Sequence, residues 1–316
     1  MERQARVYVA GTQTLAGSAI WRALEERGYQ CLLGGRGDDP DPADRHEVET
    51  FFARAKPEFV FVAAGKSGGI AANEAYPADF MLHNLLVECY ILQSAWRHGV
   101  TKLLYLGSSC TYPRDCPQPM REEFLWTGPL EPSSMPYAVA KISGMTLCRA
   151  YRRQYGVNFI SAIPADAFGP GDDFDPHTAH VVPGLIRRLH EARERGAKTV
   201  DVWGSGRPRR ELLFADDLAD ACLFIMREYN GAGPLNIGGG TELSIRDLAS
   251  LVKEIVGYAG ELRFDTTKPD GMPRKLLDSS RLAAMGWRPG TPIRSALSKT
   301  YEWFRATHAS GRAANA

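Results

Sequence analysis

Short apolar blocks recur along the chain with polar and helical stretches between them. Arg6 to Ala10 reads as a buried strand, Gly11 to Gly17 as a turn, and Ser18 to Arg27 as a helix ended by Gly28. Further apolar runs follow at Cys31 to Leu33, Phe59 to Ala63, Leu103 to Leu106 and Phe159 to Ile163. Helical stretches such as Phe80 to His98 and Tyr137 to Gln154 separate them. Strands alternating with helices predict an α/β fold built on a parallel sheet covered on both faces.

Beyond Pro164 the texture changes. Gly169 to Asp173 reads as loop, Val181 to Arg195 as helix and Thr199 to Trp203 as a short strand. Leu235 to Ile237, ahead of three glycines, reads as a late strand of the first sheet. The pattern therefore predicts a smaller lobe interleaved with the sheet: 1–165 and 212–240 form the nucleotide-binding domain, and 166–211 with 241–316 the substrate domain. Residues 309–316 read as a disordered tail. A length of 316 residues suits this two-lobed division.

With 38 basic against 37 acidic side chains, the net charge of +1 leaves no global field to recruit nucleic acid or a membrane surface. The start of the chain lacks the pattern of a signal peptide, and no run reaches the roughly 20 apolar residues of a membrane span. The six cysteines show no metal-binding spacing, so no metal is expected, and reduced thiols in a cytoplasm are.

Gly11 and Gly17 flank Thr12, Gln13, Thr14, Leu15 and Ala16 in a turn that sets a helix N-terminus, with its free amides, against a pyrophosphate. Its place on the first strand of an alternating chain points to a Rossmann-type, doubly wound dinucleotide fold. The second strand ends in Gly34-Gly35-Arg36, a cation suited to a 2′-phosphate, with no carboxylate for the adenosine ribose. NADP(H) is the expected cofactor.

Tyr137 and Lys141 lie one helical turn apart and share a face. A hydride arriving at a ketone carbon leaves charge on oxygen, and a tyrosine hydroxyl can meet it with a proton. The Lys141 ammonium is expected to lower the pKa of this phenol, and Ser108 or Ser109, just after a strand, completes the acid. Cys110 adds a thiol to that group.

Several segments now carry a resemblance: Ala64 to Ile70, Leu106 to Pro113, Pro136 to Lys141, His180 to Pro183, Trp203 to Gly206 and the long Lys268 to Asp278. Over nearly its whole length the chain resembles the extended short-chain dehydrogenase/reductases and, among them, the GDP-L-fucose synthase group. The resemblance implies NADPH, a GDP-sugar substrate, two epimerisations flanking a 4-keto group and reduction of that ketone. It implies Cys110 and His180 as the epimerising pair and Tyr137, Lys141 and Ser108 as the reducing set. Pro164, Asp166, Phe168 and His180 are expected near the cofactor. Arg188, Arg210 and Lys275 are expected on phosphate or sugar, with Trp203 on the sugar or pyrophosphate region. A homodimer through the helices at Phe80 to His98 and Tyr137 to Gln154 is also implied.

The chain departs from that group at several places. Gln13 and Thr14 replace its arginine and glycine in the turn, Asp166 replaces an asparagine, and Phe214 a histidine. A related 4-keto sugar nucleotide therefore stays open as substrate. So does an epimerase that recycles tightly bound NAD. A silent dinucleotide sensor is disfavoured by the intact proton-transfer set.

Overall fold

In this computed structural model, residues 1–35, 37–268 and 270–309 are described. The first layer is a six-stranded parallel sheet of β1 (Arg6–Ala10), β2 (Cys31–Leu33), β3 (Phe59–Val62), β4 (Lys102–Leu106), β5 (Asn158–Pro164) and β9 (Leu235–Ile237). Its spatial order is β2-β1-β3-β4-β5-β9. Val7, Val9, Val60, Phe61, Leu103 and Leu104 are fully buried, as expected of strands covered on both faces. The covering helices are α1 (Leu15–Glu26), α2 (Arg45–Ala55), α3 (Ile70–Ala75), α4 (Pro77–Arg97), α5 (Met135–Tyr155) and, later in the chain, α7 (Ala215–Glu228).

Strand order reverses between β1 and β3, so the carboxyl ends of these strands open a crevice. The turn at Gly11, the loop at Gly65, Ser108 to Cys110 and the segment after Pro164 all lie at that end. The helix after β1 begins at Leu15, earlier than the Ser18 expected from sequence. Thr14 is the reason: its hydroxyl caps the helix by accepting from the Gly17 N–H at 3.1 Å.

The second lobe is built on a sheet the sequence pattern barely shows. β8 (Arg209–Phe214) pairs antiparallel with β10 (Thr241–Ser244) and parallel with both β6 (Asp166–Phe168) and β12 (Arg274–Lys275). Beside it, β7 (Thr199–Trp203) pairs with β11 (Glu261–Asp265). Helices α6 (Val181–Glu194), α8 (Ile245–Val256) and α10 (Ile293–Phe304) supply much of a separate apolar cluster around Leu185, Leu189, Leu248 and Phe304.

One boundary differs from the expected division. Met272, Leu277, Leu282 and Trp287 pack into the first core, together with α9 (Ser280–Ala284), although the sequence placed them in the substrate lobe. Backbone bonds draw the segment there: Met120 N–H donates to Leu276 O at 2.7 Å and Asp278 N–H to Met120 O at 2.8 Å. The tail expected over 309–316 lies, from 310 onward, outside the described residues.

Candidate functional site

The turn after β1 is tight because two residues lack side chains. Gly11 has a φ of +91°, and a Cβ there would lie 2.5 Å from the Ala64 backbone; a Cβ on Gly17 would lie 2.0 Å from Gly11 O. The helix therefore starts directly against the sheet, with the N–H groups of Leu15 and Ala16 in its first turn, where no intrahelical acceptor exists. Thr14, which stands where a middle glycine was expected, turns its hydroxyl inward to Gly11 O at 2.8 Å and Ala63 O at 3.1 Å. Gln13 is exposed, and Thr12 donates to Asp39 at 3.0 Å. This glycine-lined cradle and its open amides fit a dinucleotide pyrophosphate. Arg36, expected on the 2′-phosphate, lies outside the described residues.

Across the crevice, Ser108 caps a short turn at Ser109–Thr111, its hydroxyl accepting from the Cys110 N–H at 3.2 Å. Tyr137, on the first turn of α5, shares a hydrogen bond with Ser108 and meets the ring of Phe80 edge-on at 6.4 Å. One expectation is corrected here. The phenol is not lowered: burial pushes its pKa above the ordinary value, the charge of Cys110 adds to that, and the Ser108 bond opposes it. Lys141 instead donates to Leu106 O at 3.1 Å and lies 5.0 Å from the centre of the Tyr105 ring. Burial takes this lysine down to about 8. Desolvation outweighs the Ser108 bond at Tyr137 and the pull of Glu88 at Lys141, so Tyr137 holds its proton in this site.

Three second-lobe residues join them because their strands share β8. Lys275 sits opposite Arg210 and Asp166 opposite Leu212. The Lys275 ammonium meets Asp166 Oδ1 at 2.9 Å and Cys110 Sγ at 3.6 Å. Arg210 Nε lies 3.9 Å from Asp166 Oδ2, and Ser109 donates to Oδ1 at 3.3 Å. Burial alone would raise the Asp166 carboxyl, but Lys275 and Arg210 outweigh it and hold the pKa below the usual range. For Lys275 burial pulls downward, and Asp166 and Cys110 together reverse that, leaving the pKa raised.

His180 stands at the residue before α6, at the mouth of the crevice, and its side chain makes no capping bond. Its segment is held by the glycine loop after β3: Gly69 N–H donates to Thr178 O at 2.9 Å, and a Cβ on Gly69 would lie 2.6 Å from Ala179 O. Surrounding protein lowers the imidazole first, Lys275 adds to this, and Asp166 opposes it. The ring is open to solvent, so water screens much of that effect.

Ser108, Cys110, Tyr137, Lys141, Asp166, Arg210 and Lys275 thus converge, with His180 at the rim. The other expected contacts are placed elsewhere. Arg188 spends its donors on Gly184 O and Asp201 O, at 3.1 Å each. Trp203 is exposed, with the Lys268 ammonium 5.4 Å from its ring centre. Phe168 is a core residue, only 1% exposed and packed against Phe214. Pro164 ends β5 beside Ile237 at the crevice. Sequence reasoning missed the contact of Lys275 with the thiol. It also missed Glu88, whose charge among the apolar positions of α4 was the available signal.

The model of the NAD dependent epimerase/dehydratase family matches residues 7–238. The chain belongs to that family. Among family members, it is 50% identical to GDP-L-fucose synthase 1 of Arabidopsis thaliana, over 96% of this chain and 94% of that protein. It is 44% identical to GDP-L-fucose synthase of Escherichia coli, over 95% of this chain and 96% of the other. The solved GDP-mannoheptose C4 reductase of Campylobacter jejuni with NADP bound superposes with a TM-score of 0.87 at 33% identity, covering 96% and 99% of the two chains.

Proposed function

We propose that this family member is an NADPH-dependent epimerase/reductase converting GDP-4-keto-6-deoxy-D-mannose to GDP-L-fucose. The observation that carries the reading is the convergence of two proton-transfer sets on one crevice: Cys110 with Lys275 beside it, and Tyr137 with Ser108. Full-length relatives with the fucose synthase name support the substrate, and the NADP-bound neighbour supports the cofactor.

Bound NADPH supplies the hydride. Cys110 and His180 remove and return the protons at C3 and C5, which the adjacent ketone acidifies. Tyr137, kept protonated by its burial, gives its proton to the C4 oxygen as charge develops there, while Ser108 bonds to the same oxygen. Arg210 and Lys275 hold the sugar nucleotide against the second lobe, with Arg188 and Trp203 further along the cleft. Pro164 and Asp166 line the reacting end, and Thr12 to Gly17 hold the pyrophosphate.

The test is NADPH oxidation with GDP-4-keto-6-deoxy-D-mannose in D₂O, followed by NMR of the product. Deuterium at C3 and C5 of a fucose product is the expected result. Oxidation without deuterium would remove the epimerase role and leave a C4 reductase.

The subunit arrangement we infer is a homodimer through α4 and α5, whose exposed Leu82 and Tyr155 support it. Among the described residues no helix is long and apolar enough to cross a membrane. The free, exposed Cys31 and Cys89 suit a reducing compartment such as the cytoplasm.

A further inference from the structure

Behind Lys141, on the side away from the crevice, lies a second polar group that the reaction described above does not use. Glu88 of α4 is 2% exposed, and its Oε2 accepts from the Tyr105 hydroxyl at 2.6 Å. Tyr105, on β4, is itself 1% exposed, and its ring lies under the Lys141 ammonium. The other carboxylate oxygen, Oε1, is buried with no hydrogen-bond partner among the described residues. Space for this pair is made by α5. A Cβ on Gly144 would lie 2.5 Å from the Tyr105 hydroxyl oxygen and 2.6 Å from Glu88 Oε2. Three elements therefore accommodate a carboxylate almost closed off from solvent.

We propose that Glu88 is a positioning residue for the reduction: held by Tyr105, it is the counter-charge that keeps the buried Lys141 an ammonium. Leu106 O supplies Lys141 with a dipole but no charge. Removing an ammonium from water is costly unless a negative group sits nearby. Across this region, α4 contributes Glu88 and Cys89, β4 contributes Tyr105, and α5 contributes Tyr137, Lys141 and Cys148. The phenol and thiol groups that feel Glu88, namely Tyr105, Tyr137, Cys89 and Cys148, are all pushed upward and stay neutral. Glu88 is thus the one acid of this set able to ionise near neutrality. Burial raises it to about 7, with the Tyr105 bond and Lys141 opposing that rise. Burial lowers Lys141 to about 8, against the pull of Glu88. Between those two values both groups carry charge and the pair is internally neutral; above the higher one Lys141 loses its proton.

This inference rests on the proposed use of Lys141 in ketone reduction, and the experiment separates the two. In cofactor-free protein labelled with ¹³C-lysine, the Lys141 Cε signal, assigned by its loss in Lys141→Arg, is followed from about pH 6 to about pH 10. Glu88→Gln keeps an acceptor for Tyr105 and removes only the charge. It should move the Lys141 titration down by about one pH unit. Tyr105→Phe, which leaves the carboxylate in place without its bond, should move it the same way by less. In turnover, the basic limb of NADPH oxidation should follow the same shift in Glu88→Gln. Deuterium exchange at C3 and C5, which uses Cys110 and His180, should keep its own profile. A Lys141 titration identical in wild type, Glu88→Gln and Tyr105→Phe would overturn the proposal and leave the pair as core packing. If the wild type oxidises no NADPH with this substrate, the proposed function fails, and the NMR titration still decides the role of Glu88.

Discussion

Asp166 sets the charge at the thiol. Its carboxylate neutralises Lys275 and draws on Arg210, so Cys110 faces an ammonium already paired on its other side. Asp166→Asn removes that negative charge and leaves Lys275 facing the sulfur alone, which favours thiolate. Alkylation of Cys110 by iodoacetamide near neutral pH should therefore quicken by about fivefold, read by peptide mass spectrometry so that Cys31 and Cys89 are counted separately. An unchanged rate would mean that Lys275 leaves the thiol once its carboxylate partner is gone. At this scale the sequence showed the residue types but not their partners. Tyr137, Lys141 and Cys110 stand in short local motifs, so their neighbourhood could be read from spacing. The contact of Lys275 with Asp166 joins positions 109 residues apart through strands that each pair with β8, which no local pattern carries.

At the scale of elements, the turn after β1 shows how one residue type substitutes for another by a different route. The expected middle glycine would have freed the backbone; Thr14 instead uses its hydroxyl to close the turn and start α1 early. Thr14→Ala should cost about 1 kcal/mol by loss of the cap. Gly17→Ala drives a Cβ into Gly11 O and should cost about 2 to 3 kcal/mol, with a clear loss of NADP⁺ affinity. Urea unfolding and titration calorimetry on the two variants check both statements. The strands of the first sheet were legible because they are continuous apolar runs. Strands β8, β10 and β12 were not, because charged residues form them. Arg209 and Arg274 both bond to Glu242, so ion pairs across the sheet replace the apolar signal.

For the whole molecule, one side chain joins three parts of the chain. Asn236, fully buried in β9, accepts from the Tyr112 hydroxyl at 2.7 Å and donates to Met120 O at 2.8 Å and Asp278 O at 3.1 Å. Asn236→Ala takes this partner from the Tyr112 hydroxyl and Asp278 O in the interior, while Met120 O keeps the Asp278 N–H, and should destabilise the fold by about 2 to 3 kcal/mol in equilibrium unfolding. The layered architecture follows from alternating strand and helix signals, whereas this stitching of 112–120, 236 and 278 appears only once the chain is folded. The strand order has a further consequence, in time rather than in space. β5 borders β4 on one side, but its other neighbour, β9, is made only after the start of the second lobe has been synthesised. A growing chain therefore carries an open, largely apolar sheet edge from Pro164 until Leu235 emerges, the period in which it is most prone to pair with another nascent chain.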